Sequence, residues 1–409
     1  MEKHGLLHLS IAVLVTALAQ GCTLARVDPP CPAVTKIVPA AAQYGDTVSI
    51  IGTNFLAGLP QLYTITIGSK FVPVLDVPDV NTIRFMVPLG IGDGPVSVSV
   101  NGSSCTMGTM PGFTYRFTVT QVQQLVAGFN LPAGMAVDAN GNIILADGGN
   151  DVIKLVTPQG GISTIAGKSG MPGTTDGNNG PFVNFDFPQD VTVDPAGNIY
   201  VADDYNYCIR KIINPPSYYV STVAGIIGNA GEVDGSLTTA RFSGATGVAI
   251  SGTDSLYVIE YTSNRLRFVN LQDGSVTTLM GGGTTSPLNY PLRVAYSENR
   301  NAAYPILIAD QDNNRILEVS TAGTANTTPI GLTFPPHDLA LDDNGNIFVL
   351  NGSGEKVSVI YKDNGIVDIA GTGINYNFQS VSGIAVDSKN KVAYVSDEVL
   401  NNIVMVRYQ

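Results

Sequence analysis

"QQLVAG" (residues 123–128) reads as the end of a repeat that has not yet begun. Related endings return as "STIAG" (163–167), "STVAG" (221–225), "TTLMG" (277–281), "TTPIG" (327–331) and "VDIAG" (367–371). Between and after them a β-rich stretch recurs, beginning with "GMAVDANGNIILADGGNDVIKLV" (134–156) and "DVTVDPAGNIYVADDYNYCIRKI" (190–212) and resuming at 247–269, 293–319, 338–360 and 383–406. That makes six beginnings and six endings, but the first ending precedes every beginning and the last beginning has no ending after it. Each beginning holds three strands and each ending a fourth. A four-stranded unit repeated at about 45–57 residues is a propeller blade, because each small sheet has two apolar faces that only neighbouring blades can cover. The count predicts a six-bladed ring in which "QQLVAG" is the outer strand of the last blade, beside Ile403–Arg407. Without it, the ring would leave an unpaired strand edge at its own seam.

Working outward, the segment before the ring alternates apolar and polar residues in short runs: "DTVSIIG", "YTITIG", "TIRFMVP", "PVSVSV" and "FTYRF". Period-two alternation punctuated by Gly and Pro predicts an antiparallel β-sandwich over 32–117, followed by the propeller over 118–409. Charged residues are only 13% of the 409-residue chain, which suits an all-β protein rich in turns. The net charge of −12 and the lack of any Lys/Arg cluster exclude nucleic acid as a partner. Of three histidines, His4 and His8 lie at the front, so His337 alone serves the body of the protein and a multi-histidine metal site is excluded.

Residues 1–22, "MEKHGLLHLSIAVLVTALAQGC", carry an apolar run from Leu9 to Ala19 too short to span a bilayer, which has the form of an export signal. "LAQGC" resembles a bacterial lipobox, which implies cleavage before Cys22, acylation of its thiol and a short tether over 23–31. An ordinary signal peptide ahead of a cysteine is the alternative. The expected location is the cell envelope, as an outer-membrane lipoprotein held by its lipid alone, with either membrane face open. In an oxidising compartment Cys31 and Cys105, near the two ends of the sandwich, could form a disulfide, whereas Cys208 in "YCIRKI" reads as a buried strand residue.

"IVPAAAQYGDTVSIIGTNF" (37–55), "TIRFMVP" (82–88), "GPVSVSV" (94–100) and "FTY" (113–115) resemble an IPT/TIG domain, an immunoglobulin-like module. The resemblance implies a spacer or interaction role; Gly45 and Gly52 are expected in tight turns, and Phe55 and Tyr115 in the core. The motif "GxxVDxxGNxYVADxxNxxI", best seen at 188–209, resembles NHL repeats, and tandem copies behind an IPT/TIG domain resemble bacterial cell-envelope lipoproteins. Blade four departs most, with "SENRNAAYP" in place of the "DxxGN" turn.

Several residues invite a chemical reading. "DANGN", "DPAGN" and "DDNGN" look like calcium loops, but their Gly follows Asp by three residues between strands, which is hairpin-turn chemistry. At the end of each second strand stand Asp147, Asp203, Glu260, Asp310, Asn351 and Asp397; they either cap their own turns or make one face of the ring acidic. At the start of the inner strands, Gln189, Asp190, Thr246, Arg293, His337, Asp338 and Ser382 form a polar ring around the propeller mouth, where small ligands bind. Tyr205, Tyr207 and Tyr261 on adjoining turns could stack against a sugar. The long connections 168–187 and 226–242 are expected to carry recognition. Two functions fit: a monomeric envelope protein that binds a glycan, peptide or protein partner, with no cofactor and no catalytic residue, or a lactonase- or lyase-like enzyme. The latter would use a channel-bound divalent metal such as Ca2+ held by oxygen ligands including Asp190 and Asp338.

Overall fold

A computed structural model describes residues 31–409 apart from 44, 69, 89–93, 101–105, 117, 179–182, 214–216, 283–285, 353–354 and 363, with backbone alone for 106–112 and 114–115. Cys22 with its leader, Cys105 and the Tyr115 side chain lie outside the described residues. Cys31 is disulfide-bonded, and Cys208 is free and buried.

The alternating runs of the first domain form two facing sheets. One orders Ala33–Val38, Thr47–Thr53, Thr82–Met86 and Val74–Asp79; the other orders Ala41–Gln43, Thr106–Arg116, Gly94–Val100, Tyr63–Ile67 and Lys70–Val72. Period two sends Val48, Ile50, Ile83 and Phe85 from one sheet, and Ile65, Ile67, Val96 and Val98 from the other, into one core, with Phe55 and Phe113 completing it. Gly45 has φ +85° and makes the expected turn. Gly52 has a different role: it sits inside a strand, where a Cβ would stand 2.1 Å from the Ala33 carbonyl oxygen, so the glycine permits close strand approach.

The remaining strands form six radial sheets. Their inner strands are Pro132–Val137, Pro188–Val193, Ala245–Ser251, Pro291–Tyr296, Pro336–Leu341 and Val381–Asp387, each at one end of an antiparallel order of four strands, or five in the third sheet. Each inner strand neighbours the next, and the sixth neighbours the first. The seam is built as the repeat count requires: Val119–Ala127 pairs antiparallel with Asn402–Tyr408, with Val122 opposite Val406 and Ala127 opposite Asn402. Across the same seam Ser396 Oγ donates to the Ala133 carbonyl at 2.9 Å. Thr118 and Gln409 exchange backbone hydrogen bonds of 3.2 and 3.1 Å, so the chain passes from the sandwich straight into the ladder. The Arg116 guanidinium covers the Tyr361 ring of blade five at 4.1 Å, a second tie between the domains.

The two long connections serve the frame. In the first, Gly177 bridges to Val220, the start of the outer strand of blade two; in the second, Gly235–Ser236 adds a fifth strand to blade three. Each is latched by a buried arginine of the blade it covers, through Arg210–Asp176 at 2.5 Å and Arg267–Asp234 at 2.9 Å. Parts of the segments expected to carry recognition thus cover blade edges.

Candidate functional site: the propeller mouth

Every inner strand begins with a register shift against its neighbour, at 132/135, 188/190, 245/247, 291/293, 336/339 and 381/384. Such a bulge lets two consecutive residues face the axis, where a regular strand would send them to opposite faces. The single polar ring read from the sequence is therefore two stacked rings. The upper one holds Ala133, Gln189, Thr246, Leu292, His337 and Ser382; the lower holds Gly134, Asp190, Gly247, Arg293, Asp338 and Gly383.

The lower ring is a plug of paired charge. Arg293 donates through Nη1 to Thr246 O at 2.7 Å and through Nη2 to Gln189 O at 3.2 Å, and its Nε lies 4.0 Å from Asp338 Oδ2. Asp190 accepts the amides of Val191 and Val248, both at 2.9 Å, and Asp338 those of Leu339 and Ile384 at 2.7 and 2.9 Å. All four carboxylate oxygens thus already hold a backbone donor, each carboxylate bridging two neighbouring blades. Three glycines make room for this layer; a Cβ on Gly134 would stand 2.1 Å from Asp190 Oδ1. Below the plug lies a vestibule of about 610 Å³ whose wall includes Ala136, Thr192, Ala249, Ala295, Ala340 and Ala385.

Above the plug, Gln189, Thr246, Arg293, His337 and Ser382 line a cavity of about 230 Å³ together with Tyr205 and Tyr261. Asp190 and Asp338 instead border the lower vestibule, and Tyr207, whose φ of +55° closes the 204–206 turn, is not part of the lining. The structure adds Phe187, Asp204, Tyr290, Leu292 and Glu398. Phe187 stacks on Tyr205 with ring centres 5.0 Å apart, and Tyr261 meets Tyr290 edge to face at 5.3 Å. Phe187 and Tyr290 each precede the proline that opens an inner strand and take φ of +53° and +54°. The "FP" and "YP" pairs at 187–188 and 290–291 are the sequence signal for them.

The acidic series at the second-strand ends does not make an acidic face. Asp147, Asp203, Glu260, Asp310 and Asp397 are all fully buried. Each accepts the amide of the incoming connection, from Asn130, Asp186, Ser243, Asn289 and Gln379 respectively, at 2.6–2.8 Å. On the opposite face Asp138, Asp194, Asp342 and Asp387 each bind the asparagine of their own hairpin turn, as turn chemistry requires. Among the described residues no group of three or more His, Cys, Asp or Glu gathers as a metal-ligand set.

Burial tunes the site. It is the main cause that raises Asp190 to about 6 and Asp338 to about 7, against the opposing pull of Arg293. Asp204 is pushed up to about 7, again mainly by burial, with Asp203 and Asp186 adding to it and Arg293 opposing. His337 is lowered to about 4 by burial and by Arg293, so it is neutral at pH 7. Its Nδ1 stands 3.2 Å from the Ser382 carbonyl, which can only accept; the proton is therefore on Nδ1 and Nε2 is left as an acceptor.

These shifts fix a pH dependence of stability. An unfolded Asp titrates near ~3.9, so Asp190, Asp204 and Asp338 hold their protons to higher pH when folded. Their stabilising contribution is complete below about pH 4 and is lost as pH rises through about 6–7. The melting temperature is expected to fall between pH 5 and pH 8, and Asp204→Asn to flatten that fall. Calorimetry showing a rise toward pH 8 would contradict the assignment.

The fold and its mouth thus define a class: an IPT/TIG-type sandwich in front of an NHL-type propeller. Residues 32–117 match the IPT/TIG domain and residues 185–212 the NHL repeat. The chain is 30% identical over 308 residues to NHL repeat-containing protein 2 of Gallus gallus, covering 67% of this chain and 38% of that relative's length. Among solved structures, an auxiliary nutrient binding protein from Bacteroides ovatus superposes with a TM-score of 0.52 at 15% identity, covering 93% of this chain and 99% of that one. A streptogramin B lyase superposes with a TM-score of 0.50 at 11% identity, covering 72% of this chain and 98% of that one. At these identities the superpositions speak to fold alone.

Proposed function

We propose that the protein is a cell-envelope binding protein, lipid-anchored at Cys22, that captures a saccharide at the propeller mouth. One observation carries the reading: two aromatic pairs, Phe187/Tyr205 and Tyr261/Tyr290, flank a concave cavity whose floor offers neutral donors and acceptors from Gln189, Thr246, Ser382 and His337. Aromatic faces take the C–H face of a sugar ring while short polar groups take its hydroxyls. Tyr205 and Tyr290 are 55% and 43% exposed, so their rings are open to a ligand. The nutrient-binding description of the Bacteroides ovatus protein of similar build supports the same direction.

The enzyme reading needs a divalent metal in the channel, with Asp190 and Asp338 among its oxygen ligands. Those oxygens are committed to backbone amides and the Arg293 guanidinium lies beside Asp338, an arrangement that favours binding over metal-assisted chemistry.

The test is a glycan array followed by calorimetry on the protein from residue 23 onward. Tyr205→Ala and Tyr261→Ala are each expected to weaken the best saccharide by about tenfold, the worth of one stacked ring. Unchanged affinity in both variants, or an array without a hit, would overturn the reading.

A further inference from the structure

Asp204 differs from every other buried carboxylate at the mouth. It is 4% exposed, lines the cavity, and its carboxyl takes no hydrogen bond, whereas Asp190, Asp203 and Asp338 each accept two or more. The residue is largely desolvated while its carboxyl borders the cavity, so a ligand there would supply the hydrogen bonds the protein does not. Its neighbours describe that ligand. A methyl group built on Gly244 would stand 3.2 Å from Asp204 Oδ1 and 3.3 Å from Tyr261 Cε1, so carboxyl and aromatic ring border the same space. The Tyr205, Tyr207 and Tyr290 hydroxyls lie within electrostatic reach of Tyr261, as Asp204 does.

The charge around Asp204 points the same way. Asp186 faces it from the connection, Asp203 adjoins it with its own charge paired to Arg210, and Glu398 stands on the rim of the same cavity. Arg293 is the cation facing it; its two Nη groups hold the Thr246 and Gln189 carbonyls, while its Nε makes no hydrogen bond and lies 4.0 Å from Asp338 Oδ2, and its charge is shared with Asp190 and Asp338. Carboxyls outnumber the guanidinium, and the aromatic faces add their own attraction for a cation.

We propose that the mouth selects amino sugars, saccharides carrying a free protonated amine, with the ammonium held by Asp204 and the sugar face laid against Tyr205 and Tyr261. This rests on the saccharide reading above and adds the ligand's charge to it. Asp204 must be ionised to hold the ammonium, so binding releases a proton whenever the pH lies below about 7.

Calorimetry with the tetrasaccharides of glucosamine and of N-acetylglucosamine distinguishes the ideas. At pH 7 the free amine should bind about tenfold more tightly, as expected for a charge-assisted contact in a desolvated pocket. Asp204→Asn should abolish that preference, bringing the affinities for the two tetrasaccharides together. On the unaltered protein, which needs no variant to fold, affinity for the glucosamine tetrasaccharide should fall from pH 7 to pH 5 by up to about tenfold per unit, with the N-acetylated ligand insensitive. Equal binding of both tetrasaccharides, or an array hit confined to neutral saccharides, overturns the amine preference and leaves the saccharide reading standing. Failure of every saccharide to bind overturns both.

Discussion

Replacing residues 119–127 by a Gly/Ser linker of equal length is expected to destroy the closed propeller fold. The strand supplies the whole outer edge of blade six, paired from Val119 opposite Tyr408 to Ala127 opposite Asn402. Its Val119 and Val122 pack on the core that includes blades five and six, and its Leu125 and Val126 on the one shared by blades six and one. Removing four half-buried apolar side chains, each worth a part of the roughly 1.5–3 kcal/mol of full burial, together with a whole edge ladder, takes a large share of the ~5–15 kcal/mol that holds a typical domain together. The bare edge of Asn402–Tyr408 would then be free to pair with another molecule. Size-exclusion chromatography should show aggregates, and scanning calorimetry should lose the cooperative transition. Appending a copy of residues 118–128 after Gln409 through a tight turn should restore both, since that copy would again run antiparallel to Asn402–Tyr408. A linker variant that stayed monomeric with unchanged melting would show that the seam does not hold the ring.

The closure was legible because it rests on counting: six beginnings, six endings and an offset of one. The lining of the mouth was only partly legible. Gln189, Thr246, His337 and Ser382 stand one residue before Asp190, Gly247, Asp338 and Gly383, and strict alternation assigns such neighbours to opposite faces. The bulge at each strand start overrides the alternation, and nothing in the local composition announces it. The five second-strand carboxylates do cap their own turns, one of the two readings the sequence offered, but their complete burial was not legible. Their burial depends on the preceding connection folding over them, through the amide of a residue some 17 positions earlier in the chain. Asp204 was invisible as a site residue, since "DDYN" reads as an ordinary turn until Tyr261 and Tyr290, from other blades, are seen to close around it. The blade frame is thus written in the residues that repeat, and the mouth in those that do not. In the upper ring all six blades carry a different residue, whereas the position two residues below the plug is alanine in all but one.

Arg210→Met is expected to cost roughly 3–5 kcal/mol, the penalty for stripping one partner from a buried ion pair. The Arg210 and Asp203 side chains are both fully buried, 2.8 Å apart, and the guanidinium also holds Asp176 and the carbonyls of Asn184 and Thr175 at 3.0 Å. Methionine fills much of the volume, so the cost is that of leaving Asp203 without its cation and of releasing the 168–187 connection from the edge of blade two. Urea denaturation gives the first quantity, and limited proteolysis within that connection reports the second. Arg267→Met should behave alike, because Glu260 and Asp234 occupy the same roles in blade three. The contrasting case is Arg84, whose pair with Asp76 on the sandwich is about two-fifths exposed on both sides. Arg84→Met is expected to change stability far less than Arg210→Met, because water already screens that pair. Adding Asp203→Asn to Arg210→Met should recover part of the loss, since an uncharged amide can stay buried without a cation while still accepting the Asp186 amide. Equal costs for Arg210→Met and Arg84→Met would mean that the buried latch contributes no more than a surface contact, and that the long connection is held by its backbone bridge alone.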